Sequence, residues 1–233
     1  MTGRTKTEDR GFTLVELLVV IGVITILIGI LMPALGKVRR RAREVATKNL
    51  IEIIASNCHN YKNDWGEFPP DLDGTTAGDH GTVAGDLVAA VWGGSPPGDG
   101  SDDRLKKGSV CFNFFLTSRF TKAGSGIVRE PLFKFESDQV LNTGKTVDYD
   151  ANLDGTDETV SVKEVIDPFG NALWYDEKYS DTILGHAAGG GVNGESFVII
   201  SAGEDGVFQF SQSDYTGDSA SRKGDDLANM ALD

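Results

Sequence analysis

The sequence predicts an α+β protein: a long N-terminal helix, membrane-spanning in its first half, packed on a small antiparallel β-sheet head. Three observations predict it. Residues 11–35 read GFTLVELLVVIGVITILIGILMPAL, and no charge interrupts residues 17–32. Beyond that run, apolar residues recur at steps of three and four as far as Tyr61. The second half of the chain then carries short β-branched and aromatic runs, separated by Gly, Pro, Asn and Asp.

The apolar run is long enough to cross a bilayer, since about 20 helical residues at ~1.5 Å each span ~30 Å of hydrocarbon. Bases precede it (Arg4, Lys6, Arg10) and follow it (Lys37, Arg39, Arg40, Arg41, Arg43). Positive flanks usually stay cytoplasmic, and with both flanks basic the rule does not decide orientation. Glu16 is the odd residue, a carboxylate at the edge of the run that needs a partner cation or several kcal/mol, in order of magnitude.

Past Pro33 the face Val38, Ala42, Val45, Ala46, Leu50, Ile53, Ile54, Cys58 and Tyr61 is apolar, opposite Arg39, Arg40, Arg43, Lys48 and Glu52. One helix over residues 12–60 follows, lipid-facing and then packed on a head, with Pro33 and Gly22, Gly29 and Gly36 as weak points. It stops where Trp65-Gly66 leads to Phe68-Pro69-Pro70, whose aromatics can fold back over the core. Residues 71–103 read as a long surface loop, with one short helix at 86–92 and disorder at 93–103. Residues 109–121 suit a short helix or a buried strand. Residues 131–136 alternate as a strand, and further strands are expected at 159–166, 172–175, 196–201 and 207–210. Asp167-Pro168-Phe169-Gly170-Asn171 is the turn between the first two of these, with Gly-Asn tolerating positive φ.

The chain has 233 residues and net charge −13, enough for an anchor and one domain with a real core. Residues 1–11 hold three bases and two acids, so the chain without them stands near −14. Phosphates would repel such a domain, so no nucleic-acid partner is expected, and cations are its natural small ligands. Cys58 and Cys111 allow one disulfide in an oxidising compartment or, equally, two buried thiols. Enzyme readings fare worse. The Gly-rich residues 189–195 lack the Lys-Ser/Thr of a phosphate loop, and no serine sits in a nucleophile elbow.

Asp150, Asn152 and Asp154, with Gly155 at the sixth place, match the first half of a calcium loop of the EF-hand kind. Ser161 stands where the twelfth-place Glu should be. The segment is either a partial calcium site or a β-turn.

Gly11-Phe12-Thr13-Leu14-Val15-Glu16, behind a basic leader and ahead of an apolar helix, resembles the prepilin signal of type IV pilins and type II secretion pseudopilins. An uncleaved signal anchor would need neither Gly11 nor Glu16, and a cleaved secretory peptide would need an A-x-A-like site that is absent. The resemblance implies cleavage between Gly11 and Phe12 by a prepilin peptidase/methyltransferase, N-methylation of Phe12, and a mature chain of 222 residues, the 233 less the leader. It implies that Glu16 meets the Phe12 amine of a neighbouring subunit, and that Pro33 marks a bend or local melting in the filament, the alternative being a plain membrane-helix kink.

The turn from Tyr61 to Pro70, the string DPFGNALWY from Asp167, and Ser201-Ala202-Gly203-Glu204-Asp205-Gly206-Val207 resemble the head of the major, G-type pseudopilin. In that family the head carries a helical segment where residues 109–121 stand, so the resemblance favours the helix there, and the last loop binds calcium. The resemblance then assigns carboxylates to Asp205 and to Asp225 or Asp226, and carbonyls to Ala202 and Val207, the alternative being an acidic surface turn. The connection from Phe208 to Lys223 is longer than is usual in the family.

The resemblance implies a layout of leader 1–11, filament-core helix 12–35, amphipathic helix 36–62 and head 63–233. It implies a non-enzymatic subunit of a homopolymeric pseudopilus, single-pass in the inner membrane with its head in the periplasm. Its partners would be copies of itself, minor pseudopilins and the assembly platform. The alternatives are a type IV pilin or minor pseudopilin and, from another class, a membrane-anchored hydrolase or binding module.

Overall fold

The computed structural model describes residues 12–66, 68–70, 87, 90–91, 102–121, 127–151, 154–176, 197–208 and 227–229. Contacts divide the chain into two units, Met1–Ala42 and Arg43–Asp233.

Helix α1 spans Leu14–Trp65 and is continuous through Pro33. Its apolar segment is long enough to cross a membrane, and the described side chains of residues 12–42 are exposed. In the second unit α1 buries Thr47, Leu50, Ile51, Ile54, Cys58, Tyr61 and Trp65, at steps of three and four. This stripe is rotated from the expected face: Val45, Ala46 and Ile53 are exposed, while Thr47 and Ile51 point inward. Thr47 tolerates burial because its hydroxyl donates to Arg43 O at 2.9 Å. The helix ends five residues beyond the expected 60. Gly66, at φ +89°, donates its N–H to Lys62 O, a left-handed cap that a side chain would strain. Trp65 stacks on Tyr61 and Phe68 is buried, so the two aromatics do close over the core.

Leu87, Ala90 and Val91 are helical, and the remainder of the expected 86–92 helix lies outside the described residues. So do residues 71–86 and 92–101, which hold most of the expected surface loop and disorder. Asp102 and Asp103, placed in that disordered stretch by the sequence, instead begin α2, Asp102–Thr117. The preferred helix over 109–121 is therefore correct in type. Residues 108–116 of α2 are buried on every side, which is why their apolar spacing matched neither simple period. Strand β1 (Phe120–Thr121) follows and pairs with β2 (Val128–Arg129).

Residues 131–136 are not a strand. Leu132 and Phe133 both give their N–H to Leu116 O, the frayed end of α2, so these donors have no strand partner. Alternation there reflects Phe133 and Phe135, which meet edge to face at 4.7 Å.

Strand β3, Val140–Tyr149, was not expected. It pairs antiparallel with β4, Glu158–Val165, and the register slips between Asn142 and Thr146. There Asn142 Oδ1 accepts the Gly144 N–H, and Gly144 takes φ +75°. This bulge spells Asn-Thr-Gly-Lys, which reads as a loop.

A second sheet has the order β5–β6–β7, all antiparallel: β5 is Trp174–Asp176, β6 Val198–Ser201 and β7 Leu227–Asn229. Strands β4, β5 and β6 match the expected positions to within about two residues, a normal boundary error. A bridge from Ile166 to Ala172 links the two sheets at the Asp167–Asn171 turn. Val207 and Phe208 are not in a strand, and residues 209–210 lie outside the described set. Strand β7 takes the edge of β6 instead.

Candidate functional site

The first candidate site is the start of α1. Thr13 caps the helix: its N–H and its hydroxyl both donate to Glu16 Oε2, at 2.9 and 2.7 Å, and its Oγ1 accepts the Glu16 N–H at 3.2 Å. This reciprocal arrangement is a capping box, and it satisfies backbone donors that a helix start leaves open. Thr-x-x-Glu ahead of an apolar run was legible in the sequence. Glu16 is therefore not an acid without a partner in its own chain. Its partners are neutral, however, so the carboxylate keeps its charge, and both donors end on a single oxygen. Phe12 is 79% exposed beside it, and Gly11 lies outside the described residues. Pro33 lies within the helical backbone.

The second candidate is built from the two motif strings of the head. Asp167, buried, accepts the Phe169 and Asn171 N–H groups on Oδ1, each at 2.9 Å, and the Ser201 hydroxyl on Oδ2 at 2.5 Å. Gly203 donates its N–H to Ser201 Oγ, and Asn171 Nδ2 donates to Gly203 O at 2.6 Å. Gly170 takes φ +96°, as the turn requires. The turn at Asp167 and the loop from Ser201 thus form one polar network. Burial raises the Asp167 carboxyl above its ordinary range, and the bonds from Ser201, Asn171 and Phe169 oppose the rise.

Of the expected calcium ligands, Ala202 is buried, and Asp205 and Val207 are exposed with Asp205 Oδ1 accepting the Val207 N–H at 2.8 Å. Asp225 and Asp226 lie outside the described residues. Leu227, the next residue, pairs with Ser201, so β7 begins beside the mouth of this loop. In the other loop Asp150 accepts the Asp154 N–H on Oδ1 and the Gly155 N–H on Oδ2, while Asp154 Oδ1 accepts the Thr156 N–H. Those carboxylates close the turn on its own backbone, and Asn152, the third expected ligand, lies outside the described residues. Among the described residues no group of three or more His, Cys, Asp or Glu is disposed to hold a metal ion.

Cys58 and Cys111 are both buried in the core and unbridged, the thiol alternative of the two. Burial pushes the Cys58 thiol far up, which leaves almost no thiolate to react. The Gly-rich residues 189–195 lie outside the described residues.

A family model described as the prokaryotic N-terminal methylation motif matches residues 7–32. No curated protein and no solved structure matches the chain. The match covers the junction of Gly11 with Phe12, the Thr13–Glu16 cap and the apolar half of the helix. Residues 7–32 are thus a prepilin-type signal of the kind found in type IV pilins and pseudopilins.

Proposed function

We propose that this chain is a structural subunit of a type II secretion pseudopilus. The observation that carries the reading is the methylation motif at residues 7–32 on an exposed apolar helix whose only early acid is Glu16. Cleavage after Gly11 frees the Phe12 amine, which is then methylated. The amine of a neighbouring subunit pairs with Glu16, whose Oε2 is already held by Thr13. Neutral donors orient the carboxylate, and the amine cancels its charge, so apolar helices can pack without leaving an ion in oil. Residues 12–35 form the filament core, 36–62 the amphipathic half of the helix and 63–233 the head. The leader stays in the cytoplasm and the head enters the periplasm. Minor pseudopilins and the inner-membrane platform are the assembly partners, and the chain itself catalyses nothing. Calcium is held by Asp205 with Asp225 or Asp226 and the carbonyls of Ala202 and Val207, and stiffens the head loops. The head strings DPFGN and SAGEDG favour this reading over a pilin or minor pseudopilin, and their joining through Asp167, Ser201 and Asn171 supports it.

Intact mass of the purified native protein and of Glu16→Ala tests the reading. Both should lack residues 1–11 and carry one added methyl, and only the native protein should sediment as filaments. Retention of the first eleven residues, or normal filaments from Glu16→Ala, would sink it.

A further inference from the structure

A cavity of about 650 Å³ opens between the end of α2, the 131–135 connection and the β3–β4 hairpin. That volume is in the range of built ligand sites. Its apolar walls include Phe133, Phe135, Val140 and Val160. Asn113 and Ser118 also line it, but Asn113 Nδ2 and Ser118 Oγ are shut off from solvent behind its walls, and the Ser118 side chain shares a hydrogen bond with Tyr149.

Two features of this groove define what would fill it. Among the described strands β4 pairs only with β3, and Glu158, Thr159, Val160, Ser161 and Lys163, from both of its faces, line the cavity, as the open edge of a strand would. The charged lining is Arg119, Lys134 and Lys163 against Glu158, a cationic spot on a chain of net −13. Arg119 already pairs with Glu130 at 3.1 Å, so Lys134 and Lys163 supply most of the surplus.

We propose that this groove docks an extended acidic peptide segment of a partner protein. The segment adds to the edge of β4 through main-chain hydrogen bonds, sets an apolar side chain between Phe133 and Val160, and turns its carboxylates to Lys134 and Lys163. The inference does not depend on the filament reading, because the groove lies wholly in the second unit and involves neither Phe12 nor Glu16.

Fluorescence polarisation of full-length protein in zwitterionic micelles tests it. The probe is a labelled heptapeptide that alternates glutamate with valine around a central phenylalanine, and the control replaces each glutamate by lysine. The glutamate peptide should bind saturably and weaken about tenfold or more when Lys134 and Lys163, both exposed, are changed to Glu. Equal binding of both peptides, undiminished binding by the lysine variant, or no saturable binding would overturn the proposal. Self-association abolished by Lys134→Glu/Lys163→Glu, with no peptide bound, would assign the groove to a second copy and overturn it as well.

Discussion

Asp167 and Glu16 are both carboxylates at hydrogen-bonded corners, and their surroundings give them opposite tasks. Glu16 is exposed and, among the described residues, accepts from Thr13, whose donors are neutral and leave it open to a further, charged partner. Asp167 is buried among Phe169, Asn171 and Ser201, and burial raises its pKa. A raised pKa in the fold means that the native state holds the proton more tightly than the open chain does. The stability this contributes is fully present below the ordinary carboxylate range, near ~4, and is lost as pH rises through the elevated value. Urea midpoints of the native protein relative to Asp167→Asn should therefore fall as pH rises from the ordinary carboxylate range through the elevated pKa, then level off. Parallel profiles for the two proteins would show that Asp167 is not perturbed as described. Neither role was fully legible beforehand. The Thr-x-x-Glu signature was in plain sight, but the turn at Asp167 showed nothing of Ser201, which is 34 residues away.

Among elements, α2 packs tightly against β5. A Cβ on Gly108 would stand 2.3 Å from the Tyr175 carbonyl oxygen, a backbone atom that cannot swing aside. One turn on, Phe112 meets the Tyr175 ring edge to face at 5.1 Å, and the Tyr175 hydroxyl donates to Pro69 O. Gly108→Ala should cost about 1–3 kcal/mol by overpacking, seen as a lower thermal midpoint, whereas Gly22→Ala, with nothing within 4 Å, should leave the midpoint unchanged. A neutral Gly108→Ala would mean that α2 does not sit on β5 in this way. The errors of sequence reading at this scale share a cause. Strand β3 was hidden by its Asn-Thr-Gly-Lys bulge and its mostly exposed side chains, and residues 131–136 imitated a strand because Phe133 and Phe135 pack on each other. Periodicity records which side chains are buried, and says nothing of where the backbone donors go.

At the scale of the whole molecule, calcium is the open question that chemistry can answer directly. If Asp205 and the acids before Leu227 hold calcium, adding it to the chelated full-length protein should raise the thermal midpoint. At a hundredfold excess over the dissociation constant the gain is about 2.7 kcal/mol, and Asp205→Asn should lose most of it. An unchanged midpoint at millimolar calcium would remove the ion from the account. The processing signal and the apolar helix were set by sequence alone, because a cleavage motif is read as a linear string and an uncharged run of that length has few other uses. The α+β class followed as well, since the buried stripe of α1 and the strands β4 to β6 announce themselves locally. Tertiary structure alone decided the rest: that Asp167 ties two distant strings into one network, that β7 joins β6 in the second sheet, and that α2, the 131–135 connection and the β3–β4 hairpin enclose a groove carrying Lys134 and Lys163. Each of these depends on which backbone and side-chain groups meet across long stretches of chain, and no local pattern encodes such meetings.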